Sequence, residues 1–512
     1  MRTIQTDVVV VGAGNAGLTA ALAAYEVGAG VIVLEAATES ERGGNSRFSG
    51  GIFRTTHDGL DDLRTLLDKS SDRWLERGVS VDAYTAADYT ADWQKTSAGR
   101  ANRSLVDLTV QRSLDTIRWM KRHGVVWELS ADKMWDPDKI DKGKSIVLPP
   151  GGALRAAGEG VGLMARLFAA AERADGIDVW YNAPSVELIT DGYAVRGVVV
   201  NKDDERVNVL GRVVLASGGF EANPEMRRRY LGEGWDLVKV RGTRHNMGIM
   251  LQRALDAGAQ PVGNWGGAHA VAIDANAPEV GDLSLTDKMS RYSYPYALLV
   301  NSNGKRFVDE GEDQVWLTYA KNGWAVRAQE FGVAYQIFDQ ASINLLEPRY
   351  STATPVCAPT IAELASALGL PVGALTETVE TFNQAVSSDA NAKFDAARPD
   401  GVSAQPAGQP NKSNWARRIE VPPFTAYPVT CGITFTYGGV KVNASAEVIS
   451  TVGKPIANLW AAGETVGDYF YFNYAAGAGL MRGAVFGRMA GTNAARVALF
   501  SQRSGETTKV TA

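Results

Sequence analysis

The stretch from Asp7 to Glu35 limits what this chain can become more than any other. Asp7 to Val11 carries a β-branched run, the mark of a strand buried on both faces in a parallel sheet. Gly12-Ala13-Gly14-Asn15-Ala16-Gly17 follows, then a helical stretch from Leu18 to about Val27, then a second buried strand, Val31 to Leu34, ending in Glu35. A G-x-G-x-x-G string alone is weak, but here it leaves a strand, opens a helix and has an acid at the end of the next strand. Gly12 allows the tight turn, Gly14 lets backbone approach a pyrophosphate, and Gly17 lets helix and strand pack closely. Asn15 and Ala16 open the helix, whose N–H groups and positive dipole end face the phosphates. Glu35, with Ala36 beside it, would accept from the ribose hydroxyls, which favours FAD or NAD over NADP.

Later segments choose between those two. Arg42 to Gly51 is a second glycine-rich loop, and an NAD domain has no need of one. A flavin does, so Gly43, Gly44, Asn45, Ser46, Gly50 and Gly51 are assigned to the cofactor. Leu459 to Glu464 reads as a strand ending in an acid suited to a ribityl chain, with Gly463 at the turn. Gly477 to Leu480 opens the last helix, so Gly479 and Leu480 face the N1/O2 edge of a reduced flavin. Val186, Ser217 and Gly218 complete the expected FAD set. The plain alternative for these later segments is that they serve only as helix and strand caps.

Composition narrows the rest. The 512 residues are 45% hydrophobic and 21% charged, enough to bury large cores. A net charge of -5 argues against a nucleic-acid partner. Two cysteines, Cys357 and Cys431, are too few for a disulfide framework or a cysteine metal site, which suggests a cytoplasmic protein and no metal. The N-terminus lacks the pattern of a signal peptide. The most apolar stretch, Val8 to Leu34, is broken by Gly12, Gly14, Asn15, Gly17 and Glu26, so no membrane span is expected. Helices are expected at Leu60 to Leu75, Val81 to Trp93, Ser104 to Lys121, Val161 to Ala174 and Asn246 to Gly258. Two more are expected at Thr360 to Leu368 and Val372 to Val386, and a last from about Gly479 to Leu499. Between them lies an irregular section rich in aromatics, including Trp265, Tyr292, Tyr294, Tyr296, Trp316 and Tyr319.

Together, Gly12 to Gly17, Gly43 to Gly51, Ala216 to Phe220, Lys305 to Glu310 and Gly463 to Gly491 resemble the fumarate reductase/succinate dehydrogenase flavoprotein superfamily over nearly the whole chain. Several strings, Gly43 to Arg47, Gly266 to Val271, Tyr292 to Tyr296, Phe307 to Gly311 and Phe470 to Tyr474, are most similar to FAD-dependent tricarballylate dehydrogenases. The resemblance implies an α/β fold: a discontinuous Rossmann-type FAD domain, residues 1–262 and 431–512, with an α+β capping domain inserted at 263–430. It also implies where this chain departs. Phe435 stands where fumarate reductases carry a histidine, Tyr474 where they carry a substrate arginine, and Ala341-Ser342-Ile343 where their proton-donating arginine falls. Fumarate reduction is therefore not expected. Phe48 stands near the position of the flavin-linking histidine of respiratory relatives, so noncovalent FAD is expected.

The resemblance makes His269 the substrate-binding histidine and associates Glu310 with proton handling. Arg291, beside Tyr292, is a candidate carboxylate clamp, Tyr437 is a candidate at the flavin edge, and Tyr292, Tyr437 and Tyr474 are the catalytic candidates for a carbonyl substrate. Packing, surface and loop roles are the plain alternatives for each. Arg244-His245 is a weaker clamp candidate, and His57 and His123 read as turn and cap residues. The expected activity is desaturation of a bond beside a carboxylate or carbonyl, with tricarballylate to cis-aconitate as the single best expectation and a separate, unidentified electron acceptor. Rivals are a dehydrogenase of a ketosteroid-type or other cyclic ketone, a precorrin-type flavoprotein, and a flavin-binding protein without catalysis.

Overall fold

In a computed structural model, the described residues are 2–133, 146–192, 194–396 and 398–509. Strand β1 (Arg2–Val11), helix α1 (Asn15–Glu26) and strand β2 (Val31–Leu34) form the expected unit. Val8, Val9 and Val10 are fully buried, each contributing about 1.5–3 kcal/mol of hydrophobic stabilisation. The main sheet places five strands parallel and adjacent: Ile177–Trp180, β2, β1, Glu205–Leu215 and Pro455–Ala461. Val11 is in register with Leu34 and Leu215, and Leu215 with Ala461. The loops that begin at Gly12, Glu35, Ala216 and Ala462 therefore leave one edge of the sheet side by side, where ligands bind in open α/β sheets.

The C-terminal helix, Ala478–Lys509, lies across α1. A Cβ at Gly487 would stand 2.3 Å from the Ala16 carbonyl oxygen, and one at Gly491 2.0 Å from that of Ala20. Small residues on that face let the two helices approach closely enough to tie the last segment of the chain to the dinucleotide loop. No helix among the described residues is long and apolar enough to cross a membrane.

A second sheet of six strands forms the cap. Its central strand, Phe424–Thr436, pairs with Lys239–Val240, Ala268–Asp274, Val333–Phe338 and Val356–Ala358, and Leu298–Asn301 adds an outer edge. The sheet thus takes in residues ahead of 263, and its central strand crosses the expected division at 430/431. Strand pairing, which composition does not reveal, moves both limits. Three expected helices also change, among them Val81 to Trp93, which becomes Ala86–Ser97 while Val81 joins a short strand. Leu60 to Leu75 is split into Leu60–Arg64, a short 3-10 turn and Asp72–Glu76, and Asn246 to Gly258 narrows to Ile249–Asp256 behind Gly248 in the left-handed region.

Candidate active site

One cavity runs from the loops at the sheet edge to the inner face of the cap. At its sheet end the wall is built by Gly12, Gly14, Asn15, Ala16, Glu35 and Ala36. Gly12 has φ +98°, and a Cβ there would stand 2.4 Å from the Ala216 carbonyl oxygen. Gly17 lies behind the wall, where a Cβ would stand 1.9 Å from the Gly12 carbonyl oxygen, so it sets packing. No side chain caps α1 at Gly14, so its N-terminal N–H groups are open to an anion except for that of Asn15, which donates to Ser46 Oγ at 3.0 Å. Glu35 is 6% exposed, and its two carboxylate oxygens accept from the Ala13 and Ala37 N–H at 3.0 and 2.9 Å. Its remaining lone pairs face the cavity, so Glu35→Ala should weaken FAD binding by about 1.5–3 kcal/mol, the range for bonds to a charged acceptor. Titration of apo-protein with FAD checks this; unchanged affinity would take Glu35 out of the site.

Gly44, Asn45, Ser46, Gly50 and Gly51 line the middle of the cavity with Ser217, Gly218, Gly463 and Glu464. Asn45 does more than face a ligand. Its amide donates to Glu221 Oε1 at 2.5 Å and the Thr434 carbonyl at 2.6 Å, and its oxygen accepts from the Thr243 N–H at 2.8 Å. Glu464 Oε1 accepts from the Thr436 N–H at 2.7 Å and hydroxyl at 3.1 Å, joining the sheet edge to the end of the cap's central strand. Gly479, Leu480 and Arg482 of the last helix complete this part. Two expected members are corrected. Gly43 packs on Arg47 and Met164, and Val186 gives its carbonyl to Arg253, while Pro184 and Ser185 reach the cavity instead.

The fit to FAD rests on these features: glycine backbone around an uncapped helix end, a carboxylate at each end of the dinucleotide path, and the Asn15 Oδ1, buried without a partner. Glu35 would hold the adenosine ribose, the start of α1 the pyrophosphate and Glu464 the ribityl chain.

The cap end is aromatic. His269, Tyr292, Trp316, Tyr319, Phe435 and Tyr474 line it. The His269 ring is 4.9–5.0 Å from those of Tyr319, Phe435 and Tyr474, and its Nδ1 is buried without a partner. Burial first, then Arg241 nearby, hold its imidazole well below the ordinary histidine value, so it is neutral. Tyr474 Oη accepts from the Gly477 N–H at 3.0 Å and the Gly479 N–H at 3.1 Å. A hydroxyl whose oxygen already takes two N–H bonds has its own proton left to donate elsewhere. Burial raises its pKa, and those two N–H groups oppose the rise.

Three sequence candidates lie elsewhere. Arg291 is 1% exposed and bonded to Asp274 at 2.7 Å and to three backbone carbonyls, facing away from the cavity. Glu310 holds Arg306 at 2.5 Å and accepts from the Leu299 N–H at 2.8 Å, a wholly buried pair inside the cap. Tyr437 is packed behind the cavity against Phe435 and Phe470.

The cations that do line the cap end are Arg241 and Arg349, which sequence reasoning missed. Arg241 donates to Asp287, to Ser290 Oγ at 2.8 Å and to Thr434 Oγ1 at 3.2 Å. Arg349 donates to Asp287 at 2.9 Å and Glu347 at 2.7 Å, and lies 4.7 Å over the Tyr292 ring. Its Nε and the Tyr292 hydroxyl are buried without partners. Nothing in local sequence joins these two arginines; strand pairing places Lys239–Val240, and packing of the 3-10 turn Pro348–Thr352 against Thr286–Met289 places Arg349. Across the whole cavity, three arginines (Arg241, Arg349, Arg482) stand against three carboxyl side chains (Glu35, Asp287, Glu464).

A family model described as an FAD binding domain matches residues 7–480. A probable fumarate reductase of Shewanella frigidimarina is 28% identical over 507 residues, covering 96% of this chain and 75% of that one. A 4-oxocyclohexanecarboxylate 2-dehydrogenase of Sinomonas cyclohexanicum is 27% identical over 543 residues, covering 91% and 89%. The solved open form of a flavocytochrome c3 fumarate reductase has a TM-score of 0.68 at 25% identity, covering 97% of this chain and 79% of that one. A 3-ketosteroid-Δ4-(5α)-dehydrogenase of Rhodococcus jostii RHA1 shares the fold, with a TM-score of 0.68 at 24% identity and coverage of 96% and 97%.

Proposed function

The chain belongs to the FAD binding domain family, within the fumarate reductase/succinate dehydrogenase flavoprotein superfamily, and from that premise we propose that it oxidises or reduces the carbon–carbon bond beside a single carboxylate or carbonyl of a small, largely apolar substrate. It is an FAD-dependent oxidoreductase acting on carbon–carbon bonds. The observation that carries the substrate reading is the charge balance of the cavity. Its three arginines are matched by three carboxyl side chains, and Glu347 adds another acid on Arg349. Arg241 and Arg349 are already held in ion pairs with Asp287 and Glu347, which leaves a trianion such as tricarballylate short of cations, and an unpaired buried charge costs several kcal/mol. One carboxylate needs only the unpartnered Arg349 Nε and Tyr292 hydroxyl. The relative named for 4-oxocyclohexanecarboxylate acts on a substrate with one carboxylate and a ring, which the aromatic wall suits.

The flavin, when bound, supplies the acceptor or donor of hydride. Arg349 and Tyr292 seat the carboxylate, Tyr474 donates to a substrate oxygen, and the aromatic rings exclude water. His269, neutral and with a free nitrogen, takes the substrate proton in desaturation and returns one in reduction. Phe48 is buried outside the cavity lining, and FAD is held without a covalent bond, so acid precipitation should leave the yellow colour in the supernatant.

Anaerobic mixing of holo-protein with saturated ring monocarboxylates, cyclic ketones and tricarballylate tests the reading. Flavin bleaching by a monocarboxylate or a cyclic ketone is expected. Bleaching by tricarballylate alone would end the single-carboxylate reading.

A further inference from the structure

Two carboxyl side chains meet beside the middle of the cavity. Glu464 follows the strand Pro455–Ala461, and Glu221 lies just beyond the strand Glu205–Leu215, with none of its surface exposed. Glu221 Oε2, the oxygen its amide donors leave free, is buried without a donor, and the Glu464 carboxyl is its charged neighbour. Carboxyls in such contact cannot both be ionised, so the pair holds one proton. The surroundings decide which residue carries it. Glu221 Oε1 accepts from the Asn45 and Asn246 amides, each at 2.5 Å, and no cation reaches its side chain. The Arg227 guanidinium from the helix Pro224–Leu231 bonds the Glu221 backbone carbonyl instead, at 2.8 Å. Glu464 opens on the cavity, takes two bonds from Thr436, and has Arg482 of the last helix on the same wall. Burial and then the Glu464 charge push Glu221 well above the usual carboxylate range, whereas the Thr436 bonds and Arg482 restrain the rise at Glu464. Cys431, on the neighbouring strand, is a neutral thiol, pushed up to about 12 by burial.

We propose that Glu221 is a positioning residue for the flavin: a resident carboxylic acid whose O–H donates to Glu464 and holds that carboxylate toward the ribityl chain. The same acid anchors Asn45 of the second glycine-rich loop and Asn246 of the segment leading into the cap. One proton therefore ties three parts of the cofactor site together. The inference rests on the FAD site alone and is independent of the substrate reading. Bound FAD covers the pair and brings a negatively charged pyrophosphate, so ionising the second carboxyl is harder with FAD present than without it. By linkage, FAD affinity must then fall as rising pH removes the proton from the apo-protein.

The test is FAD titration of apo wild type, Glu221→Gln and Glu221→Ala from about pH 6 to about pH 10, a range that brackets buried carboxyls. Infrared spectra of the holo-proteins at neutral pH accompany it. A glutamine donates its amide N–H to Glu464 and offers its oxygen to Asn45 and Asn246, as the protonated acid does. Glu221→Gln should therefore bind FAD within about twofold of wild type at neutral pH, and Glu221→Ala about 10- to 100-fold more weakly. Wild-type affinity should decline on the alkaline side and that of Glu221→Gln should stay flat. The infrared carbonyl band of a protonated carboxyl should be present in wild type and missing in Glu221→Gln. If Glu221→Gln binds as weakly as Glu221→Ala, keeps the wild-type pH profile, or leaves the infrared band unchanged, the proposal is overturned. Should Glu221→Ala fail to fold, the glutamine comparison decides.

Discussion

Arg349→Ala is expected to destabilise the protein by about 3–5 kcal/mol, the cost of removing one partner from a buried ion-pair network. Arg349 is 5% exposed and bridges Asp287 and Glu347, both almost fully buried. Burial works against its charge, but Asp287 and Glu347 outweigh it and raise its pKa. Without it, Asp287 and Glu347 each lose a buried ion pair, Asp287 retaining Arg241 and Glu347 the bond from the Tyr292 N–H. The double variant Arg349→Ala/Glu347→Ala should recover part of the loss, because it removes one of the two buried acids that Arg349 balances. Thermal unfolding at saturating FAD is the measurement, since changes in cofactor binding would otherwise shift the midpoint by mass action. A single variant that melts within a degree of wild type would show that the network is not desolvated as described. The same variant removes the unpartnered Nε, so bleaching by a monocarboxylate should need at least about tenfold more substrate, or ~1.4 kcal/mol.

Gly17→Ala should abolish stable holo-protein. Its Cβ would stand 1.9 Å from the Gly12 carbonyl oxygen, a contact with backbone that no rotamer relieves. Forcing α1 off β1 costs at least about 1–3 kcal/mol of overpacking strain and moves every N–H aimed at the phosphates. Gly14→Ala separates the two roles. There the nearest atom outside the cofactor is Ser46 Oγ at 3.5 Å, an ordinary contact, so the chain should fold and lose FAD affinity alone. The ratio of FAD to protein after purification, together with the circular dichroism of each variant, checks the contrast. Equal FAD content in Gly17→Ala and wild type would refute the packing role.

The dinucleotide half was legible because its determinants are local. Strand, turn and helix from Asp7 to Glu35 lie within one short segment, and Gly17 answers to Gly12 in the same turn. The parallel register then brings the later loops to the same edge, so motifs read separately at Gly44 to Gly51 and at Gly463 to Leu480 line one cavity. The Arg306–Glu310 pair is also a local signal, opposite charges four residues apart, whereas proton handling by the acid is what only the family resemblance implies.

The substrate end was not local, and chain adjacency misled there. Arg291 and Tyr292 are neighbours beside the bridge that Ser290 makes with Ile273, and on extended backbone successive side chains face opposite ways. Tyr292 turns to the cavity and Arg291 to Asp274. Arg241 and Arg349 carry no motif and sit far apart in the chain, as do Glu221 and Glu464. The amino-acid sequence by itself determined the FAD-binding fold and the backbone of the cofactor site, because tight turns and helix starts are set by residues next to one another. Which charges face the substrate, and which are already balanced, was decided only by the tertiary structure, because charge pairing depends on distances that only the cap's strand pairing and packing establish.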